Sequence, residues 1–246
     1  MMLATALVAG SATADEKSEP AAKETKSADA KGETPAPDPM AVPDGTPEEL
    51  FKFIEKLERM RPSSDSREVV LAFFEKQTRA LLKASDKILA AKPTLEQGRD
   101  ALEFKIIALQ ILDRLGDPDA AKKLAALPDS LDQAGMKELA RDARYFLLKK
   151  RIQQSGDLSK KGFMELLKDI KRWLSEAEPD PVAAMLAMNA VMNAERDGYD
   201  DLALLAYADF AKFLAKSNDR KTLNLAALMQ GAARRLGLVG KTFKLE

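Results

Sequence analysis

The sequence predicts an all-α protein: an array of about nine antiparallel helices, preceded by a disordered polar linker and followed by a short strand-like tail. Apolar residues recur at helical spacing from Thr46 onward, as Leu50, Ile54 and Leu57 do in the first helix. Helix-start and helix-stop signals punctuate this pattern, and no segment before residue 238 alternates like a strand. These three observations together indicate the all-helical class.

Each helix is predicted from its own boundary signals. Thr-Pro-Glu-Glu at 46–49 combines an N-cap, a first-turn proline and a capping-box glutamate, and Asp180-Pro181 repeats the cap-then-proline order. Glycines at 116 and 198 end helices. The predicted helices cover about 46–62, 65–91, 94–116, 117–128, 131–154, 159–177, 181–198, 200–216 and 218–235.

Some boundaries and buried faces in this prediction rest on single residues. Pro128 is expected to end the fourth helix, and Asn218 is expected to cap the ninth. In the second helix, four apolar residues recur at helical spacing and are expected to share the buried face: Val70, Phe74, Leu81 and Ile88. Turns of a few residues favour antiparallel neighbours, which leaves open a solenoid-like stack of helical hairpins or a bundle over 46–236.

The N-terminal region is predicted to lie outside the helical domain. Residues 1–14 contain a short apolar run followed by Ala-Thr-Ala, the small-x-small pattern that precedes signal-peptide cleavage, although no basic residue comes before the run. The alternative is a disordered apolar N-terminus. The run is about half the length that crosses a bilayer, so no stable membrane span is expected. Residues 15–45 hold eight acidic and four basic residues and almost no large apolar side chain, which predicts a disordered linker.

Composition limits the chemistry of this chain. The 246 residues contain no Cys and no His, so thiolate nucleophiles, Cys-His and Ser-His-Asp arrangements, and imidazole or thiolate metal sites are excluded. The formal net charge of zero does not indicate a nucleic-acid partner. We therefore expect a non-enzyme with no catalytic residue, no cofactor and no metal.

Two patterns that resemble chemical motifs have simpler interpretations. Acidic pairs such as Glu48/Glu49 and Asp117/Asp119 stand at helix starts, where carboxylates accept unpaired backbone N–H groups. Gly-Lys-Thr at 240–242 is not a phosphate loop, because the first glycine of that motif would fall at position 235, which is Arg.

Three methionines are the candidate partner-binding residues. Met185, Met188 and Met192 recur at spacings of three and four, which places them on one face of the seventh helix. Methionine on such a face is usually core filling, and the alternative is a groove for an apolar partner. The stretch 185–213 also resembles, loosely, a tetratricopeptide unit, without a regular repeat of the full signature.

The last residues carry a family resemblance. Residues 238–246 read Leu-Val-Gly-Lys-Thr-Phe-Lys-Leu-Glu, which is similar to the first strand of a redoxin or TlpA-like thioredoxin-fold domain. Together with the signal-like start, the polar linker and the helical body, this ending resembles the N-terminal helical region of an exported, planctomycete-type redoxin. The resemblance implies that 237–246 begins a truncated thioredoxin-like domain whose Cys-x-x-Cys pair lies beyond this chain.

The resulting expectation is a non-catalytic helical module, exported to the periplasm or cell envelope. It would mediate protein interaction or position a C-terminal thioredoxin-like domain. One alternative is a fragment of a thiol–disulfide oxidoreductase, and a further alternative is a free-standing helical-repeat protein that binds peptides.

Overall fold

The computed structural model describes residues 38–238. The chain divides into two units, Met1–Asp38 and Pro39–Glu246, and the described residues belong almost entirely to the second. The signal-like segment 1–14, most of the predicted linker and the strand-like tail therefore lie outside the described residues. Among the residues that are described, no helix is both long enough and apolar enough to cross a membrane.

Residues 38–238 contain nine α-helices, one short 3₁₀ turn between the fifth and sixth helices, and no strand, which confirms the all-α class. The helices are α1 Pro47–Arg59, α2 Arg67–Ala90, α3 Leu95–Arg114, α4 Ala120–Gln133, α5 Lys137–Gln153, α6 Lys160–Leu174, α7 Pro181–Arg196, α8 Asp200–Leu214 and α9 Arg220–Leu236.

Several helix starts form as the sequence predicts. The Thr46 hydroxyl accepts from the Glu49 amide while Glu49 accepts from the Thr46 amide at 2.8 Å, so the capping box is complete. Thr94 and Gln97 make the same reciprocal pair at α3. These bonds satisfy backbone donors that have no partner inside the helix.

Three predicted boundaries are wrong: the end of the fourth helix, the start of the fifth and the cap of the ninth. The fifth helix was predicted to begin at about 131 but begins at Lys137, because α4 extends to Gln133. Helix α4 continues through Pro128 to Gln133, because Leu127 and Leu131 keep their place on its buried face. The proline removes one backbone donor but does not end the helix; the chain turns instead at Gly135, whose φ of +78° suits glycine.

The ninth helix is capped one residue later than predicted. The carboxylate of Asp219, not the side chain of Asn218, accepts from the Thr222 amide at 2.7 Å. In α2, the expected core residue Phe74 is 37% exposed, whereas Ile88 is fully buried. The first turns of α2 carry apolar residues around more of the helix than the adjacent helices cover. Periodicity alone therefore did not show which of these residues would be buried.

Packing follows chain order and divides the core in two. Consecutive helices contact each other, and α3–α5, α5–α7 and α7–α9 contacts join α3, α5, α7 and α9 into one row. One apolar core lies among α1 to α5 and the other among α5 to α9. Helix α5 belongs to both, with Leu139 in the first core and Leu148 in the second. The array is therefore continuous through α5.

The residues just before α1 also pack against the helices. Met40 is 9% exposed and lies with Leu57 and Ala80 in a small apolar cluster. The Lys87 ammonium donates to the Pro43 carbonyl at 2.9 Å and pairs with Asp44 at 2.5 Å. Residues 39–44, which the sequence assigns to the linker, are thus held on α1 and α2.

Candidate functional site

The candidate site lies on α7, whose two sides differ in the size of their residues. Its N-terminus is set by Asp180, which accepts from the Ala183 amide at 2.7 Å, and by Pro181 in the first turn. The buried side is made mostly of alanine, and small side chains let α7 lie close to its neighbours. The buried residues are Ala183, Ala184, Leu186, Ala187, Ala190, Val191 and Ala194.

The three methionines lie away from the alanine side. Met185 is 49% exposed and Met192 is 53% exposed, while Met188 is partly buried against the second core. Met188 and Met192 line a groove of about 510 Å³ at the surface of α7, α8 and α9. Met185 is on the same helix but does not line this groove.

The other walls of the groove come from residues distant in sequence. Tyr207 of α8 and Leu228 of α9 complete its apolar surface, and Leu228 is 64% exposed. Sequence reasoning did not identify either residue. A signal for Leu228 was present, because residues 223–229 of α9 contain more apolar side chains than one buried helix face accommodates.

One end of the groove is a hydrogen-bonded network. The Tyr207 hydroxyl donates to Glu195 Oε2 at 3.0 Å, and Arg235 donates to Glu195 Oε1 at 2.6 Å. Burial, together with the Glu195 carboxylate, raises the pKa of Tyr207 to about 12. The same carboxylate raises the pKa of the Arg235 guanidinium above its ordinary value. Tyr207 therefore stays protonated and Arg235 charged at neutral pH.

The charges at this end are balanced, because each of two guanidinium groups is paired with a carboxylate. Arg235 neutralises Glu195, and Arg196 also lines the groove, where its Nε donates to Asp197 at 3.2 Å. The groove thus offers flexible apolar side chains beside two guanidinium groups. Within residues 38–238, no cluster of three or more acidic side chains is arranged to hold a metal ion. The geometry suits apolar contact with a polar anchor at one end.

At the start of α4, one carboxylate of the Asp117/Asp119 pair serves the backbone as predicted, whereas the Asp119 side chain makes no capping hydrogen bond. Asp117 accepts from the Asp119 amide at 3.0 Å and from the Ala120 amide at 3.1 Å, and it pairs with Arg79 at 2.9 Å. The backbone bond from Asp119 is the largest cause of the lowered pKa of Asp117. The Asp117 carboxylate is therefore a structural group of the α3–α4 turn.

Comparison with known proteins gives no relative: the chain matches no protein-family model, no curated protein and no solved structure.

Proposed function

We propose that this helical domain is a non-catalytic protein-interaction module, and that its groove on α7, α8 and α9 binds an apolar segment of a partner protein. The observation that carries this proposal is the exposed apolar pair Met192 and Leu228 bordering one groove. Leaving two large apolar side chains in water brings no stability to the isolated domain. Covering them with a partner would recover part of that free energy.

The chemistry of the groove specifies the partner's character. Methionine side chains are unbranched and polarizable, so Met188 and Met192 adapt to apolar side chains of different shape. An amphipathic helix lays such side chains into a groove at intervals of three and four residues. The guanidinium groups of Arg196 and Arg235 favour an acidic residue next to the apolar ones. The proposed occupant is an apolar helical segment with acidic flanks.

Two synthetic helical peptides test this directly. They share a leucine face and differ only in their charged positions, which are Glu in one peptide and Lys in the other. We expect the Glu peptide to bind more tightly, with an advantage that shrinks at high salt, because the partner charges are at the surface. The measurement is isothermal titration calorimetry with the purified chain.

Matched variants locate the binding surface. Met192→Glu places a charge in the groove and should weaken binding about tenfold or more. Leu205→Glu changes a residue of α8 that is 66% exposed and outside the groove, and it should leave the affinity unchanged. If neither peptide binds, or if Met192→Glu binds as well as Leu205→Glu, the proposed groove function is wrong.

A second candidate function is the positioning of a thioredoxin-like domain, which the residues after 237 resemble. It is favoured by the location of Arg235, which lines the groove one residue before α9 ends at Leu236. The coding sequence after the Glu246 codon tests the resemblance: an open frame without Cys-x-x-Cys within about one domain length, ~100 residues, contradicts it.

The oxidoreductase alternative has its own assay. Residues 1–246 contain no cysteine, so we expect no reduction of insulin disulfides by this chain above a control without protein. Turnover above that control would refute the non-catalytic proposal. Export to the periplasm or cell envelope is part of the same proposal and rests on the signal-like residues 1–14.

A further inference from the structure

A second cavity, of about 400 Å³, lies where the two apolar cores meet. Helix α3 forms one wall and α5 the other, with Trp173 at the end of α6 and Val182 at the start of α7. Its aromatic residues come from both sides of the junction: Tyr145 packs on the second core and Phe146 on the first. A volume of this size falls in the range of small-molecule sites.

Arg141 of α5 is the central polar residue of this cavity. Its guanidinium carbon lies 4.5 Å from the centre of the Trp173 ring, and the Trp173 indole N–H donates to the Arg141 carbonyl at 3.1 Å. Tyr145 lies on the same ring, with centroids 5.8 Å apart. The arginine is therefore held on an aromatic surface by a cation–π contact.

The hydrogen bonding of this guanidinium is incomplete. Nε and Nη2 of Arg141 are buried, and neither has a hydrogen-bond partner among the described residues. Arg144, one turn further along α5, shows the usual arrangement, since it pairs with Asp132 and with Glu176. A buried donor without a partner is costly, and more so when it is charged.

The two unpaired nitrogens lie on one edge of the guanidinium. This edge presents two parallel N–H groups, which is the geometry that binds a carboxylate through both of its oxygens. Two carboxylates of the cavity lining are already engaged: Asp142 pairs with Arg99 at 2.9 Å, and Asp180 caps α7. The unpaired edge thus matches a carboxylate that the described chain does not supply.

The rim of the cavity adds a second requirement. Asp100 and Glu103 are exposed on α3, line the cavity, and form no ion pair with a described residue. A doubly charged phosphate would be repelled by these groups, whereas an ammonium group would be attracted. Phe146 and Val182 are apolar members of the same lining.

We propose that this cavity binds a small zwitterion of the amino-acid type. The ligand carboxylate is bound by the Nε/Nη2 edge of Arg141, its ammonium group lies at Asp100 and Glu103, and its apolar side chain contacts Phe146 and Val182. Because the two nitrogens are buried against the protein, the guanidinium turns toward the cavity when the carboxylate binds. That turn changes the contact between Arg141 and Trp173.

Trp173 is the single tryptophan of the chain, so its fluorescence reports on this contact. The probes are L-leucine, leucinamide, N-acetylleucine and the dipeptide Leu-Leu. We expect a saturable change with L-leucine or Leu-Leu, no change with leucinamide, which lacks the carboxylate, and weaker binding of N-acetylleucine, which lacks the ammonium group. The two zwitterions differ in the separation of their charges and so distinguish a free amino acid from a short peptide.

Variants separate a ligand-binding role from a structural one. Arg141→Lys keeps the charge but loses the two-pronged edge, and should weaken zwitterion binding about tenfold or more. Arg172→Gln, at an α6 position 76% exposed and outside the cavity, should bind as the unmodified chain does. Circular dichroism of each variant verifies that it is folded.

Three results would overturn the proposal: no fluorescence change with either zwitterion, equal binding of leucinamide, or full affinity in a folded Arg141→Lys variant. If Arg141→Lys does not fold, Asp100→Asn with Glu103→Gln is the second test. These exposed substitutions should weaken L-leucine more than N-acetylleucine, and equal effects on the two probes would reject the ammonium site.

Discussion

The raised pKa of Tyr207 makes stability depend on pH in a defined window. The group titrates near 12 in the folded protein and near its ordinary value of 10.0 when exposed. As pH rises, the unfolded chain loses this proton first, so the proton is held more tightly by the folded state. The stabilising contribution is complete below pH 10 and is lost as pH rises toward 12.

The size of the effect follows from the two pKa values. Each unit of difference corresponds to about 1.4 kcal/mol, so the two units separating the folded and unfolded states give a loss of about 3 kcal/mol. Tyr207 is 2% exposed but lines the open groove, where solvent screens its charge, so about 3 kcal/mol is the upper limit of the effect. Tyr207→Phe has no proton to lose and should lack this part of the pH dependence.

The assay is urea denaturation of the unmodified chain and of Tyr207→Phe, followed by circular dichroism at about pH 9 and about pH 11.5. Other groups titrate in this window, and the difference between the two proteins removes their common contribution. We expect the unmodified chain to lose about 2 kcal/mol relative to the variant between these pH values. An unchanged difference would refute the reasoning. Glu195→Gln should retain most of the effect, because burial is its larger cause.

Three further predictions concern stability and export. Ile170→Ala truncates a fully buried side chain and should lower the free energy of unfolding in a urea titration by about 2–5 kcal/mol. Its control is Lys168→Ala, at an exposed position of the same helix, which should change that free energy by less than about 0.5 kcal/mol. In thermal unfolding, Gly231→Ala in α9 should stabilise the protein by about 0.5–1 kcal/mol, whereas Gly135→Ala should destabilise it by about 1–2 kcal/mol. Neither added methyl group contacts a neighbouring atom. The two sites differ because Gly135 has a positive φ and Gly231 does not. The export proposal is tested by fusing residues 1–45 to a reporter that is active only outside the cytoplasm. The fusion should show reporter activity, and N-terminal sequencing should show that the first 14 residues have been removed. A fusion that stays in the cytoplasm and is not processed contradicts the proposal.

The accuracy of the sequence-based prediction depended on how local the determining interaction is. The capping box of Thr46 and Glu49 joins residues three apart, and it formed as predicted. The end of α4 depends on a balance that is not local. Pro128 removes one backbone hydrogen bond, but Leu127 and Leu131 pack on other helices, and this packing extends α4 to Gln133. The presence of Pro128 in the sequence could not show whether the lost hydrogen bond or the packing of the two leucines has the larger effect.

In the candidate site, too, local features were predicted from the sequence and non-local ones were not. The spacing of Met188 and Met192 placed them on one face of α7, and both line the groove. Spacing within α7 could not identify Leu228 or Tyr207, because they reach the groove through the packing of three helices. It also grouped Met185 with the other two, although the groove does not extend to that residue.

Helix α7 connects the two surfaces for which binding is proposed. Val182 near its start lines the cavity of Arg141, and Met192 near its end lines the methionine groove. Between them, alanines such as Ala187 and Ala190 are fully buried and set how closely α7 lies on its neighbours. The small residues that bury α7 therefore give the cavity and the groove one common wall.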